Sequence, residues 1–479
     1  MKKSIVISVI LVSMLALTFV PMTRSSNMPT RAYTVTPIHE QLVEAADFSS
    51  GSDPVGTYLP WDVDIINAEY SAHGGEGVYV AVIDTGLVSN WADFVAPGAI
   101  IETGLGKGWS YNIAWNGKKN DFDFTPITTR GFSTDPLYGS GHGTHVTCEI
   151  VGYQRSTIGV SPHIVQGVAQ KVHIIPLLGL DTWLVKCPDK DYYNQYWDAT
   201  CHDGKVLFRG GDDWMLTSAI NYVASLAQDH PSWKIIVNNS WGSSTPSPAI
   251  RDAIDNAIRK GVIFVFSAGN DGTAGMGWPG AYPEVISAAA GGWTMQMVGY
   301  PPSNPPSPYR WYLSDVPEQL NTYNDPFGAG SVYANNWQMY LSDYSGRPNA
   351  ALGQTWQDLD VCAPGSFVVG PYKPEAAWNG EAYVNIGAPT AYYGLWGTSM
   401  AAPHVSGVAA IIAYHYPQFN QADMESVLKS GASRIPMTSN TKFAYDPFAG
   451  PAFPCNDHDA GAGWLTVDNA MMAAATYNK

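Results

Sequence analysis

The chain is short of charge. Asp, Glu, Lys and Arg make up only 14% of its 479 residues. Lys and Arg together number 25 against 41 acidic residues, for a formal net charge of -16. No basic stripe is available to neutralise phosphates, which excludes nucleic acid as a partner. The acidity reads first as a solvated negative surface, and it leaves room for structural calcium. Cysteines are also few, five in all, and none lies in a CxxC or Cys/His cluster of metal-ligand spacing. Beyond residue 20 no apolar run is long enough to cross a bilayer. No internal repeat is present.

Hydrophobic residues make up 45% of the chain, enough for a large core. Lys2-Lys3, an apolar run from Ile5 to Val20 and then Pro21 with polar residues describe a secretory signal over residues 1–25. Thr23-Arg24-Ser25 is the nearest approach to a small-x-small cleavage site, and a poor one. Membrane contact is expected only if this segment stays uncleaved. Residues 26–58 are polar, punctuated by Pro, Ser and Gly, and read as a linker or a reduced propeptide. An exported chain is free to form disulfides. Cys187 and Cys201 bracket one polar, aromatic segment and are expected to pair. Cys148 and Cys362 sit in apolar surroundings and read as buried free thiols, and Cys455 has no evident partner.

From Trp61 onward, short β-branched runs alternate with amphipathic stretches, which predicts βαβ units and a parallel sheet. The strands expected are Val78–Ile83, Val172–Ile175, Ile235–Val237 and Val262–Phe266. Helices are expected over Met215–Ala227, Ser247–Lys260 and Ser399–Tyr414, the second stopped by Gly261. Three stretches, about 181–211, 292–342 and 366–395, break the alternation and read as long surface insertions on one core spanning 59–479.

Ser399 lies in Gly397-Thr398-Ser399-Met400-Ala401-Ala402-Pro403, just where an apolar helix begins. Free N–H groups at a helix start favour negative charge, as an attacked carbonyl needs when its oxygen becomes an oxyanion. Taken alone, a serine N-cap explains it as well. Asp84 closes a buried strand in Ile83-Asp84-Thr85-Gly86, where α/β sheets place functional groups. Taken alone, it could equally be a turn residue. His142 and His145 share Ser140-Gly141-His142-Gly143-Thr144-His145. A metal held between them lacks a third ligand. His142, between two glycines, reads as the sterically open one, and His145 as a packed structural histidine. Asn270 follows a buried strand in Ser267-Ala268-Gly269-Asn270-Asp271-Gly272, and a turn asparagine is the plain reading.

Together these segments mean more. A serine nucleophile needs a base within reach, and the base needs a carboxyl group to fix its tautomer. In the order Asp, His, Ser, the three segments resemble the signature motifs of the subtilisin-like serine proteases, the subtilases. Gly167-Val168-Ala169, Trp278-Pro279-Gly280-Ala281-Tyr282-Pro283, Leu359-Asp360-Val361-Cys362-Ala363-Pro364-Gly365 and Gly461-Ala462-Gly463-Trp464-Leu465 extend the resemblance over about 60 to 475, outside the insertions.

The resemblance implies a three-layer α/β/α fold with a mostly parallel central sheet. It implies a secreted, monomeric serine endopeptidase that acts on polypeptides through an acyl-enzyme and needs no cofactor for its chemistry. Ser399 would be the nucleophile, His142 the base and then the acid, Asp84 the orienting group, and Asn270 an oxyanion donor. Ser240, Trp241 and Gly242 would pair with substrate and wall the specificity pocket, with Gly269 and Gly277 as its other wall and floor. Cleavage after large apolar or aromatic residues is expected.

Departures from the family pattern accompany the match. Trp241 stands where most relatives have an aliphatic residue. Thr147-Cys148 replaces a small pair, so helix packing there must differ. The family's calcium loop does not transfer onto Gly152–Gln166, and Asp212 and Asp213 serve equally well as helix-start residues. The alternative to an active enzyme is an inactive surface-binding protein on the same scaffold. An esterase, or an acid-active peptidase with a different donor set, is a third reading. Asn270 and the His142 motif argue against the acid-active one.

Overall fold

The computed structural model describes residues 57–155, 163–188, 192–195, 197–293, 339–432, 443–444, 453–454 and 458–477. The signal and most of the linker expectation, Cys455, residues 156–162 and most of the 292–342 stretch lie outside them.

The strands that organise the molecule are β1 (Val78–Asp84), β2 (Lys107–Asn116), β3 (Asp121–Arg130), β4 (His173–Leu178), β5 (Lys234–Asn239), β6 (Ile263–Ser267), β7 (Ile286–Trp293), β8 (Met339–Leu341), β9 (Val361–Pro364), β10 (Val368–Tyr372) and β11 (Ala391–Leu395). The helices are α1 (Trp61–Asp64), α2 (His142–Val151), α3 (Asp213–Asp229), α4 (Pro248–Ile258), α5 (Thr398–His415), α6 (Gln421–Gly431) and α7 (Val467–Thr476).

The central sheet runs β8-β7-β6-β5-β1-β4-β2-β3, with β9 also on β7. Pairs from β7 through β6, β5 and β1 to β4 are parallel, while β8 and β3 add antiparallel edges. Side chains alternate faces along each strand, and the burial follows that period. Val80, Val82, Ile236, Ile263 and Val265 face one core, which also takes residues of α2, α5, α6 and α7. Ala81, Ile83, Ile235, Val237, Phe264 and Phe266 face the other, closed by α3 and α4. This is the expected three-layer α/β/α arrangement. Each fully buried Ile, Val or Phe stabilises it by roughly 1.5–3 kcal/mol relative to exposure.

Local chemistry sets the helix ends. Asp212 caps α3 by accepting from Met215 N at 2.9 Å. Ser247 caps α4, with Pro248 in the first helical position, where no N–H is needed. Gly261, at φ +87°, turns the chain after α4.

Cys187 and Cys201 form a disulfide, and Cys148 and Cys362 are buried free thiols. Burial pushes the Cys148 thiol up, out of the reactive range. The stretch around 181–211 builds a small four-stranded sheet. The stretch around 366–395 lies closer to the core. Its β10 and β11 pair antiparallel, Phe367, Val368 and Tyr372 are buried, and Gly370 faces the His145 ring. Among the described residues no helix is long and apolar enough to cross a membrane.

Candidate active site

The parallel register puts two strand ends side by side. Asn239 pairs with Ile83, so Ser240 follows beside Asp84 at the C-terminal edge of the sheet. Asp84 is fully buried, and its backbone carbonyl accepts from Gly179 N and Leu180 N at 2.9 and 3.1 Å. Thr85 N donates to its Oδ1 at 2.7 Å.

His142 opens α2 directly above. Its Nδ1 lies 2.8 and 3.0 Å from the two oxygens of Asp84, so its Nε2 is turned away from the carboxyl group. Two hydroxyls satisfy the first-turn N–H groups: His142 N donates to Ser140 Oγ at 3.1 Å and Gly143 N to Thr85 Oγ1 at 2.9 Å. The glycines flanking His142 do not make it sterically open, as the sequence suggested; the residue is only 4% exposed. They allow close approach. A Cβ on Gly143 would meet Gly86 O at 2.4 Å, and one on Gly141 would meet Lys373 N at 2.3 Å. Without Gly143 α2 could not settle onto the end of β1.

Ser399 is the second residue of α5 and is 6% exposed. Pro403 explains how it is fixed. Proline has no N–H, so the carbonyl four residues earlier, that of Ser399, loses its helical donor. Ser240 Oγ supplies one at 2.7 Å, while Ser399 Oγ donates back to Ser240 O at 3.1 Å. This reciprocal pair ties the start of α5 to the strand end beside Asp84. Asp84, His142 and Ser399, 58 and 257 residues apart along the chain, thereby gather at one edge of the sheet.

Asn270 reaches the same place from the end of β6. Its Oδ1 accepts from both Thr398 N and Thr398 Oγ1, each at 2.9 Å, and that hydroxyl in turn accepts from Gly269 N at 3.1 Å. With Oδ1 engaged, the amide presents its N–H side; a Cβ on Gly397 would lie 3.5 Å from Asn270 Nδ2. Thr398 was missed at the sequence level because its role is to aim a residue 128 positions away. The local signal for the Ser399 anchor was Pro403.

Gly242, Gly269 and Gly277 converge. A Cβ on Gly277 would be 3.5 Å from Gly269 Cα, and one on Gly242 would be 3.8 Å from Gly277 Cα. Ser243 and Trp278 bridge the two sides, donating to each other at 2.7 and 2.8 Å. Trp241 is a correction. Its ring is 1% exposed and packs edge-on against Phe266, so it belongs to the core and cannot form an open pocket wall. Strand alternation sends Ser240 to Ser399 and Trp241 to the opposite face. A small open cleft runs beside His142, lined by Leu180, Asp181, Thr182, Arg209 and Glu375 among others.

The model of the subtilase family matches residues 75–454. The chain belongs to the subtilase family. It is therefore a serine endopeptidase, a hydrolase of polypeptides. Subtilisin DY of Bacillus licheniformis is 22% identical over 382 residues, 79% of this chain and 92% of that protein. Fervidolysin of Fervidobacterium pennivorans is 25% identical over 403 residues, 83% of this chain and 41% of that protein. The fold is shared with the S41 psychrophilic protease, at TM-score 0.50 and 22% identity, over 86% of this chain and 99% of that one.

Subtilases generally need no cofactor for catalysis. Among the described residues no three His, Cys, Asp or Glu side chains are placed to hold a metal ion. Asp212, one acidic candidate, is engaged as a cap and by Tyr111 Oη at 2.7 Å. Burial raises its carboxyl to about 6.

Proposed function

We propose that Asp84, His142 and Ser399 form the catalytic triad and that Asn270 and the Ser399 backbone N–H bind the oxyanion. The observation that carries this reading is the double approach of His142 Nδ1 to Asp84, beside the strand end to which Ser399 is tied. In the reaction, the Ser399 hydroxyl turns from the Ser240 carbonyl to His142 Nε2 and gives up its proton there. Its Oγ attacks the scissile carbonyl, and the oxyanion receives the Asn270 amide and the N–H at the α5 start. His142 then protonates the leaving amine, and water resolves the acyl-enzyme by the same path.

Substrate would add as an extended strand beside Ser240–Gly242. The side chain before the scissile bond would enter the slot among Gly242, Gly269 and Gly277. Glycine walls leave room for a large apolar or aromatic group. Export is the matching reading of the N-terminus: Lys2-Lys3 and the apolar run support a signal over 1–25, and the Cys187–Cys201 disulfide suits an oxidising compartment. The peptidase domain would then be 59–479. The experiment is digestion of a peptide library by the wild type beside Ser399→Ala. Cleavage after Phe, Tyr, Leu or Met by the wild type alone is expected. Equal cleavage by both proteins removes Ser399 from the mechanism, and cleavage after Lys or Arg removes the apolar slot.

A further inference from the structure

Beneath the site, four ionisable side chains form a buried row that peptide hydrolysis does not use. His145 and Glu149 lie on α2, one and two turns below His142. His404 lies on α5, five residues after Ser399, and Asp62 on α1. His145 Nδ1 is 2.6 Å from Glu149 Oε1. Glu149 Oε2 is 3.5 Å from His404 Nδ1, which donates to Met400 O at 2.7 Å. His404 Nε2 meets Asp62 Oδ2 at 3.1 Å. All four side chains are buried.

The hydrogen bonds fix where the proton sits. His145 Nε2 faces the Tyr393 carbonyl at 3.4 Å, and a carbonyl only accepts, so Nε2 carries the hydrogen. A neutral imidazole then offers a lone pair at Nδ1, and Glu149 must donate to it. The charged alternative would bury an imidazolium against a carboxylate, with Glu149 Oε2 lacking any hydrogen-bond donor. We propose that Glu149 is a positioning residue: as a neutral acid it donates to His145 Nδ1 and holds that ring on the Tyr393 carbonyl, fixing the helix that carries His142 against β11. The proposal rests on the triad reading and deepens it. The surroundings agree. Burial, then the nearby Asp62 and Asp84, hold the Glu149 carboxyl well above its ordinary range. Burial, and next the nearby His142, push His145 down to about 3.

The test compares Glu149→Gln, which keeps one donor and one acceptor, with Glu149→Leu, which keeps neither. The Gln variant should retain kcat within about threefold and an unchanged pH–rate profile. The Leu variant should lose about tenfold or more in kcat with KM within about twofold, since misplacing the reacting groups slows chemistry more than binding. Infrared difference spectra at about pH 8, where an ordinary carboxyl is ionised, should show a protonated-carboxyl band in the wild type that Glu149→Gln abolishes. Absence of that band overturns the proposal even if the Leu variant fails to fold. So does a Gln variant as impaired as a folded Leu variant, or a folded Leu variant with wild-type kcat. Loss of the triad reading is separable, because the band does not depend on Ser399 being reactive.

Discussion

His142 and His145 sit one turn apart on α2, each with a carboxyl group at its Nδ1, and their surroundings give them opposite tasks. The partner of His142 comes from another element, Asp84 at the end of β1, at 2.8 Å. That leaves Nε2 turned away from the carboxyl group, as the proposed base role requires. The partner of His145 comes from its own helix, Glu149 at 2.6 Å, and its Nε2 is spent on the Tyr393 carbonyl. The first pair is at the rim of a cleft and the second beneath it. The difference teaches that residue type and a carboxyl neighbour do not make a base. What matters is whether the second nitrogen is committed to the fold.

The comparison breaks most sharply by exchanging the two histidines' losses. His142→Ala should lower kcat by roughly a millionfold, the size of loss known for the equivalent group in subtilisin. His145→Gln should keep activity within about tenfold, as measured on one chromogenic peptide. Comparable losses from both would erase the distinction. Next in size is Asn270, the proposed oxyanion donor. Asn270→Ala should cost a hundred- to a thousandfold in kcat with little change in KM, again a magnitude taken from a subtilisin. A fall confined to KM would move Asn270 from the oxyanion to ground-state binding.

The smallest expected effect sharpens the lower pair. Glu149 is held protonated in the fold, whereas in the unfolded chain it ionises in its ordinary range, about 4.3. Above that range the unfolded state binds fewer protons than the native state, so wild-type stability falls as pH rises. Glu149→Gln is neutral in both states and removes this term. Its stability relative to wild type should therefore improve from about pH 4 upward, with a limiting slope of about 1.4 kcal/mol per pH unit. Denaturant titrations across pH check it; a gap that stays constant, or one that shrinks with rising pH, contradicts the neutral acid.

Most of the scaffold was legible because its signals are local. The run read as Val78–Ile83 is the strand Val78–Asp84, and the helix read as Met215–Ala227 spans Asp213–Asp229, extended back to the cap at Asp212. The motif residues were legible as a set. Their mutual support was not, because it crosses the chain: Ser240 and Ser399 are 159 residues apart, Asn270 and Thr398 128. Trp241 was assigned to the pocket wall by resemblance, which does not say which way its ring turns; the ring packs into the core. The glycines around His142 were misread as freedom when they serve contact. Nothing in the local sequence singles out Glu149, and only burial against His145 and His404 gives it a task.

In the proposed triad, Ser399 is made nucleophilic by His142. Reaction with a sulfonyl fluoride, followed by peptide mapping, measures it directly. One adduct per chain on Ser399, lost in folded His142→Ala, is the predicted result. A folded wild-type protein that takes no label, or takes it on another residue, would contradict it.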